Sequence, residues 1–242
     1  MMITTKRLNR KLLLISFFYT TIACSLYSQQ FEPFFSFGYG SYKMEDLKKF
    51  QDDIISQVPF PLKITDNFPS YVNYRIGLMY HLENGQHKVG LSFGNMSTGS
   101  RANVTDYSGS YNIDQKVKAS QYGVVYEGLL SEFYIFQLAF NANVGYLATS
   151  YKLVEEFEIG QEYMPSDVAS LASSGFYIEP GLKLSVPFHK FVFSVQTGYM
   201  FDSASPLHLE SDKDLELQLE DRSIGADFSG VRLNAVIAFI IG

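Results

Sequence analysis

The sequence is poor in cysteine and has no tryptophan. Its single cysteine, Cys24, lies in the amino-terminal segment that we expect to be removed. The rest of the chain can then form no disulfide and can bind no metal through a thiolate. It also has no apolar run of the roughly 20 residues that a membrane-spanning helix requires. We therefore exclude thiol chemistry, disulfide frameworks and helical membrane spans for the mature chain.

The first 28 residues have the pattern of a signal peptide. Residues 1–11 carry four basic residues and no acidic one, and residues 12–23 form an apolar run that is too short to span a membrane. We expect cleavage near Ser28, which leaves residues 29–242 as one outer-membrane β-barrel domain. A cut before Cys24 would instead make the protein a lipoprotein, but the residues before this cysteine fit that signal poorly.

Acidic residues outnumber basic ones. The whole chain has 19 Lys and Arg against 25 Asp and Glu, a formal net charge of −6. The leader holds four of the basic residues and none of the acidic ones, so the mature formal charge is −10. An acidic chain is not a general nucleic-acid binder, and we expect no nucleic-acid partner. Because the chain is rich in aromatic residues and lacks a spanning helix, it is either a soluble β-protein or a membrane barrel.

Apolar and polar residues alternate with a period of two in eight segments, which predicts eight strands. The predicted strands lie near 33–42, 71–82, 87–96, 115–129, 133–153, 175–186, 191–202 and 230–241. Long connections near 43–70, 97–114, 154–174 and 203–229 alternate with short turns at 83–86, 130–132 and 187–190. This arrangement is typical of an all-β, antiparallel, up-and-down transmembrane β-barrel with short periplasmic turns and long extracellular loops.

The two faces of the predicted strands differ in composition, which decides between a soluble and a membrane barrel. One face carries large apolar side chains on every strand. The other carries glycines, amides and few charges, too few for a solvated exterior of the lipocalin kind. We therefore predict that the apolar face contacts lipid and that the polar face lines a narrow lumen.

Aromatic residues on the apolar face are expected to form two girdles at the membrane interfaces. The girdle toward the long loops comprises Tyr39, Tyr74, Tyr122, Tyr146 and Tyr199. The girdle toward the short turns comprises Phe35, Tyr80, Tyr126, Phe136, Phe191 and Phe239.

On this strand pattern, residues 31–242 resemble the eight-stranded outer-membrane barrels of the OmpA-like and OmpX-like kind, especially the porin-like barrels of Bacteroidetes. The resemblance implies a place in the outer membrane of a Gram-negative bacterium, in contact with lipid and lipopolysaccharide. It also implies insertion by the barrel-assembly machinery, which generally recognises a last strand with a terminal aromatic residue. The chain departs from that pattern, because its last aromatic residue, Phe239, lies three residues before the end.

Five charged residues fall on the inward face, and the lumen of an eight-stranded barrel is only wide enough for side chains. Buried charges must pair. We expect a connected ion-pair network that plugs the lumen, with the two arginines facing the two glutamates; a charged lining of a conducting pore is the alternative. The five residues are Arg75, Glu127, Glu179, Lys183 and Arg232.

Histidines suggest one enzymatic interpretation, since a His and a Ser near the outer leaflet could modify lipid A. Only His208, beside Ser203 and Ser205 in the last long loop, lies at the appropriate end, and no motif supports it. The other three histidines flank the short turns. We therefore predict no catalytic residues and no cofactor.

Two of the long loops carry further patterns. In the last one, acidic residues at 212, 214 and 216 alternate with leucines, which predicts a solvated hairpin that extends strands seven and eight. The spacing lacks the glycine and the final glutamate of an EF-hand, so we predict no metal site. In the first loop, apolar residues between Met44 and Ile55 have helical spacing and predict a short helix packed on the barrel rim.

The leading prediction is a non-enzymatic outer-membrane barrel with surface-exposed loops and a structural or interaction role in the cell envelope, including a possible extracellular partner at the loops. The alternatives are a narrow porin-like channel for small solutes and a lipid A-modifying enzyme.

Overall fold

The computed structural model describes residues 30–82, 85–107, 109–159, 162–209 and 211–242. The predicted signal peptide, residues 1–28, lies outside these ranges. Eight long strands form the body of the molecule. They are β1 (Phe31–Gly40), β3 (Tyr71–His81), β4 (His87–Asp106), β5 (Gly109–Phe133), β6 (Phe136–Ile159), β7 (Glu162–Phe188), β8 (Phe191–Asp202) and β13 (Gly230–Phe239).

The eight strands form a closed antiparallel ring. Each pairs with the next along the chain, β1 with β3 and then in order to β8 and β13. The last strand returns to the first, with Phe34 opposite Ala238 and Gly40 opposite Arg232. Because the ring is closed, each of these eight strands has a partner on both sides. The predicted fold class, an eight-stranded up-and-down barrel, is confirmed.

Short turns lie at one end of the barrel, which we call the turn end; the opposite end is the loop end. Gly85, Tyr134 and His189 occupy the three turns with φ of 66°, 56° and 57°, the left-handed backbone that tight hairpin turns require. The turn predicted at 130–132 is wrong, because β5 continues to Phe133. A register shift between Leu129 and Ser131 interrupts the alternation there, and a β-bulge therefore resembles a turn in the sequence.

Two of the four predicted long loops, 97–114 and 154–174, are instead continuations of strands. β4 pairs with β5 without interruption from His87 to Asp106, and β6 pairs with β7 out to Ile159. The period of two persists in these extensions, but large apolar side chains now point inward, among them Val117, Tyr151 and Leu153. This reversal hides the strands from an analysis that looks for polar inward residues.

The first long loop contains a helix and a short strand. The helix α1 (Glu45–Gln57) agrees with the helix predicted near Met44–Ile55. Glu45 and Asp46 lie in its first turn, where negative charge interacts favourably with the helix dipole. The strand β2 (Lys63–Asn67) pairs with β4. Within the described ranges, no helix is both long enough and apolar enough to cross a membrane.

The last long loop does not extend strands seven and eight, so that prediction is wrong. β8 ends at Asp202, and four short strands follow before β13. They are β9 (His208–Leu209), β10 (Asp212–Glu216), β11 (Gln218–Leu219) and β12 (Arg222–Ser223). β9 pairs with both β7 and β10. Leu207 is fully buried in the barrel mouth, and Leu209, Leu217 and Leu219 pack partly buried against the same core, whereas Leu215 is exposed.

Candidate functional site

The outer surface of the barrel carries a continuous apolar belt. Phe37, Leu91, Val195 and Leu233 are 51%, 68%, 56% and 56% exposed, although each is large and apolar. Soluble monomers rarely expose a contiguous apolar patch of more than a few hundred Å². The belt surrounds the ring, and its residues alternate with buried polar ones, as in the lipid-facing surface of a transmembrane barrel.

Aromatic residues border this belt at the loop end. Tyr39, Tyr74, Tyr122 and Tyr146 are about half exposed, and Tyr122 and Tyr146 are directly opposite each other on β5 and β6. Tyr199 lies on the same outward face and is partly buried, with its ring 4.6 Å from that of Phe201.

At the turn end, the structure places five of the six predicted girdle residues near the turns. Phe191 and Phe239 pack together with ring centroids 5.2 Å apart, and Tyr80, Tyr126 and Phe136 also lie on outward positions near the turns. Phe35, by contrast, is opposite Ile76 and Ile237 in the middle of the belt. Its place at the turn end is taken by Phe31, whose ring centroid is 5.6 Å from that of Tyr80.

The lumen contains a buried ion pair near its centre. Arg75 Nη2 lies 2.6 Å from Glu179 Oε2, and the two side chains are 7% and 1% exposed. The same guanidinium donates to Gln121 Oε1 at 3.4 Å. Space for these groups comes from a small neighbour: a Cβ on Gly94 would lie 2.9 Å from Gln121 Oε1. An arginine and a glutamate buried in this way balance each other's charge.

A second cluster of charges lies nearer the turn end. Lys183 Nζ is 2.7 Å from Glu127 Oε2. Lys88 Nζ is 3.2 Å from Glu127 Oε1 and 2.8 Å from Glu32 Oε2, and His81 Nε2 is also 2.8 Å from Glu32 Oε2. In this cluster and in the first pair, each carboxylate lies beside a cationic side chain. Together these side chains fill the lumen with charges that balance each other.

Three members of the second cluster were missed by the sequence analysis. Glu32 lies one residue before the predicted start of the first strand, and Lys88 was assigned to no face. Both point inward. Glu32 is an even number of residues from the buried Ser36 on β1, and Lys88 is an even number of residues from the buried Ser92 on β4. Extending the alternation to the strand ends would have found them. The alternation of the second strand places His81 on the polar face beside a turn, but the predicted network did not include it.

Arg232 does not belong to an ion-pair network, so this part of the prediction is wrong. None of the described carboxylates pairs with it. Its guanidinium donates instead to the carbonyl oxygens of Ser41 at 2.6 Å and Phe228 at 2.7 Å, and it lies 4.9 Å from the ring centroid of Tyr42. The physical reason is position: Arg232 is at the loop end of β13, where the segment that follows β1 and the segment that precedes β13 present carbonyl groups to it. The predicted single network is therefore two charge clusters and a separate arginine.

The loop end is closed by a folded cap, which we define as residues 41–70, 97–107, 109–118, 149–159, 162–173, 203–209 and 211–229. Its core brings together α1, the last long loop and the inward faces of the extended strands. Leu47, Leu207 and Phe228 are fully buried there. Other buried members are Met44, Phe68, Ile113, Val117, Tyr151, Leu153, Leu171 and Ile224. An apolar core of this extent makes the cap a rigid part of the fold.

An arginine–aspartate pair on the outer side of the cap joins β4 to β5. Arg101 donates to Asp114 through Nε at 2.6 Å and also through Nη2. These bonds hold the pKa of Asp114 below its ordinary value of 3.8. A carboxylate with a depressed pKa stabilises the folded state above its unfolded pKa and loses that contribution as the pH falls through its folded pKa.

We therefore expect the extended β4–β5 hairpin to open more readily in acid. Arg101→Met should increase amide hydrogen exchange in residues 101–114 at neutral pH. The difference from the wild type should begin to shrink below about pH 4, near the unfolded pKa of Asp114, and should keep shrinking as the pH falls through the lower pKa of the folded wild type. Exchange measured from pH 3 to pH 7, corrected for intrinsic rates, checks this. A difference that does not change with pH would contradict the assignment.

The residues considered for catalysis are not assembled into a reactive group. His208 Nδ1 is 3.0 Å from the Leu209 carbonyl oxygen, while Ser203 Oγ accepts from the Phe176 amide at 3.0 Å. Within the described ranges, no hydrogen bond joins His208 to Ser203 or Ser205. Asp212 accepts a hydrogen bond from the Asp214 amide, and no group of acidic, histidine or cysteine residues in the described part of the chain has the arrangement of a metal site.

Comparisons with known proteins give likenesses of shape alone. No protein-family model and no curated protein matches the sequence. Among solved structures, Neisserial surface protein A is 8% identical with a TM-score of 0.33, covering 87% of this chain and 96% of that one. The Ail attachment invasion locus protein of Yersinia pestis, solved with the heparin analogue sucrose octasulfate, is 13% identical with a TM-score of 0.36, covering 87% and 97%. The outer membrane protease OmpT of Escherichia coli is 8% identical with a TM-score of 0.39, covering 88% and 96%.

At these identities and scores, no function passes from those proteins to this one. The conclusion that follows rests on the strand register, the apolar belt and the lumen of this chain. It is an eight-stranded transmembrane β-barrel with a lumen filled by compensated charges and a loop end closed by a folded cap.

Proposed function

We propose that this protein is a non-enzymatic outer-membrane β-barrel of a Gram-negative bacterium that presents its cap at the cell surface, in a structural or interaction role. The observation that supports this most directly is the cap itself. The cap is not simply a rim of loops. It has a buried core of its own, and four of the barrel strands continue into it beyond the belt. A rigid surface of this kind is suited to contact with other molecules outside the cell.

The two alternatives have less support. A diffusion channel needs an open path, but the lumen holds Arg75 against Glu179 and Lys183 against Glu127, and the cap lies across its mouth. A lipid A-modifying enzyme needs a nucleophile or a base at the loop end. His208 is instead hydrogen-bonded to the neighbouring carbonyl. Unchanged lipid A mass spectra on expression of the protein would agree with a non-enzymatic role.

Cysteine labelling in intact cells tests the proposed location and orientation. Lys213→Cys places a thiol on the exposed cap strand β10, and Lys190→Cys places one in an exposed turn at the other end. We expect a membrane-impermeant maleimide to label the first variant in intact cells. It should label the second only after the outer membrane is permeabilised. Equal labelling of both, or the opposite order, would contradict the proposal.

A further inference from the structure

A cleft lined by aromatic rings lies at the outermost part of the cap, on the inner face of the extended sheet. Val104 on β4 is directly opposite Tyr111 on β5, and Tyr111 is directly opposite Phe157 on β6. Directly opposed side chains point to the same face of a sheet, with Cβ atoms about 5 Å apart. Ile113 and Val117, further down β5 on that face, are buried in the core of the cap. The row of three therefore extends the inner face beyond that core.

Phe60, from the segment between α1 and β2, completes the cleft. Its ring centroid is 5.5 Å from that of Tyr111 in an edge-to-face arrangement, and the ring of Tyr111 is 6.1 Å from that of Phe157. The cleft has a volume of about 290 Å³, which is enough for one amino-acid side chain. Phe60 and Phe157 remain 38% and 40% exposed. Three rings thus border a space that the described part of the chain does not fill.

The cleft lies well above the membrane surface, which distinguishes its rings from the aromatic girdles. Phe157 is eleven residues beyond Tyr146 on β6. With a rise of about 3.3 Å per residue and a strand tilt of about 40°, this step corresponds to about 25–30 Å above the tyrosines of the girdle. Interfacial tyrosines lie at headgroup level, so the rings of the cleft are out of reach of the hydrocarbon region. A water-soluble partner accounts for their exposure better than lipid does.

Carboxylates flank the aromatic row on the same face of the sheet. Asp106 is two residues beyond Val104, and Glu155 is two residues before Phe157, so the alternation places both on the inner face. Partial burial of its hydroxyl and the negative charge of Glu155 raise the pKa of Tyr111. The faces of aromatic rings are also electron-rich. A cationic group is therefore attracted both by the rings and by the carboxylates.

The basic residues nearest in register point to the other face. Lys63 on β2 is opposite Asn103, whose place in the alternation of β4 is on the outer face. Arg101 is also on the outer side of the cap, where it binds Asp114. In the described part of the chain, no lysine or arginine forms an ion pair with Glu155. The inner face around the rings therefore keeps a negative potential.

We propose that this cleft binds an arginine side chain of an extracellular protein or peptide, with the guanidinium against the aromatic rings and beside Asp106 and Glu155. The inference rests on the interaction role at the cell surface proposed above, and it names the chemistry of the partner. Arginine suits the site better than lysine, because its planar guanidinium stacks on aromatic rings and can donate to carboxylates at the same time. An apolar side chain would contact the rings but would make no use of the two carboxylates.

Titration of the full chain in nanodiscs with a blocked glycine–arginine–glycine tripeptide tests the site. Backbone amide NMR shifts of Val104, Tyr111 and Phe157 report binding. We expect saturable shifts at these residues with a Kd of about 1–10 mM, as a few exposed cation–π and charge contacts provide. The same peptide with citrulline in place of arginine has nearly the same shape and no charge. It should bind at least about fivefold more weakly.

Removal of the rings tests the aromatic part of the site. The double variant Phe60→Leu with Phe157→Leu keeps apolar side chains but removes two rings, and it should bind the arginine peptide about five- to twentyfold more weakly. The control variant Tyr107→Leu with Phe133→Leu changes two exposed rings outside the cleft. Its affinity should stay within about twofold of the wild type.

Removal of the charges tests the acidic part of the site. The double variant Asp106→Asn with Glu155→Gln keeps the shape of both side chains and should weaken binding of the arginine peptide about three- to tenfold. The control variant Glu220→Gln with Asp221→Asn makes the same two chemical changes at exposed positions in the last long loop. It should bind within about twofold of the wild type.

Several outcomes would overturn the proposal. Equal affinity for the arginine and citrulline peptides would show that the cleft does not recognise a cation, and tighter binding of a leucine peptide would show that its occupant is apolar. Absence of saturable shifts up to about 50 mM peptide, or equal losses in the test and control variants, would show that the cleft is not the site. The titration uses purified protein and does not depend on which side of the membrane the cap faces. Its failure is therefore distinguishable from a failure of the labelling experiment.

Discussion

Glu179→Gln is expected to destabilise the barrel by about 3–5 kcal/mol, because it leaves the Arg75 guanidinium buried without its carboxylate partner. The neutral amide can still accept a hydrogen bond, so any loss reports the charge itself. Denaturant unfolding of the protein folded into phospholipid vesicles measures the change.

Two variants control this measurement. Glu220→Gln makes the same chemical change at an exposed position in the last long loop and should alter the free energy of unfolding by less than about 0.5 kcal/mol. The double variant Arg75→Met with Glu179→Met removes both charges and should recover most of the lost stability, since apolar groups can replace a buried pair at little cost. Wild-type stability in Glu179→Gln would show that the lumen is hydrated enough to screen Arg75.

Leu78→Arg is expected to reduce membrane insertion and to cost about 2–4 kcal/mol, because it places a charge in the middle of the lipid-facing belt. Leu78 lies on β3 opposite Leu91 and is 46% exposed. The folded fraction on a semi-native gel and the free energy of unfolding in vesicles both measure the effect.

The matched control for this prediction is Thr105→Arg. Thr105 is also exposed, but it lies on the extension of β4 beyond the belt, opposite the uncharged Ser110. This variant should insert and unfold like the wild type. If the two variants behaved alike, the belt would not be the lipid-facing surface.

The barrel itself could be predicted from the sequence because its physical signal is simple. Residues that face lipid are apolar and those that face the lumen are small or polar, and the two alternate along every strand. Phe37 and Ser36 show this contrast, with exposures of 51% and 2%. Strand number, turn positions other than 130–132, and the inward direction of Arg75, Glu179, Lys183 and Glu127 all follow from it.

The cap could not be predicted in the same way, because the environment of the strands changes beyond the belt. There the outside is water and the inside is an apolar core, so Lys118 points outward while Val117 is fully buried. The alternation keeps its period of two, but charged residues now face outward and large apolar residues face inward. Arg232 was misassigned for a related reason: its partners are backbone carbonyls of Ser41 and Phe228, and a carbonyl leaves no mark in the sequence.

Planar-bilayer conductance tests most directly the central claim that the lumen is filled by compensated charges and closed by the cap. The protein should first be shown to be folded by its altered gel mobility before heating. The account predicts no steady conductance above that of the bare bilayer. A stable ohmic conductance from the folded protein would contradict it.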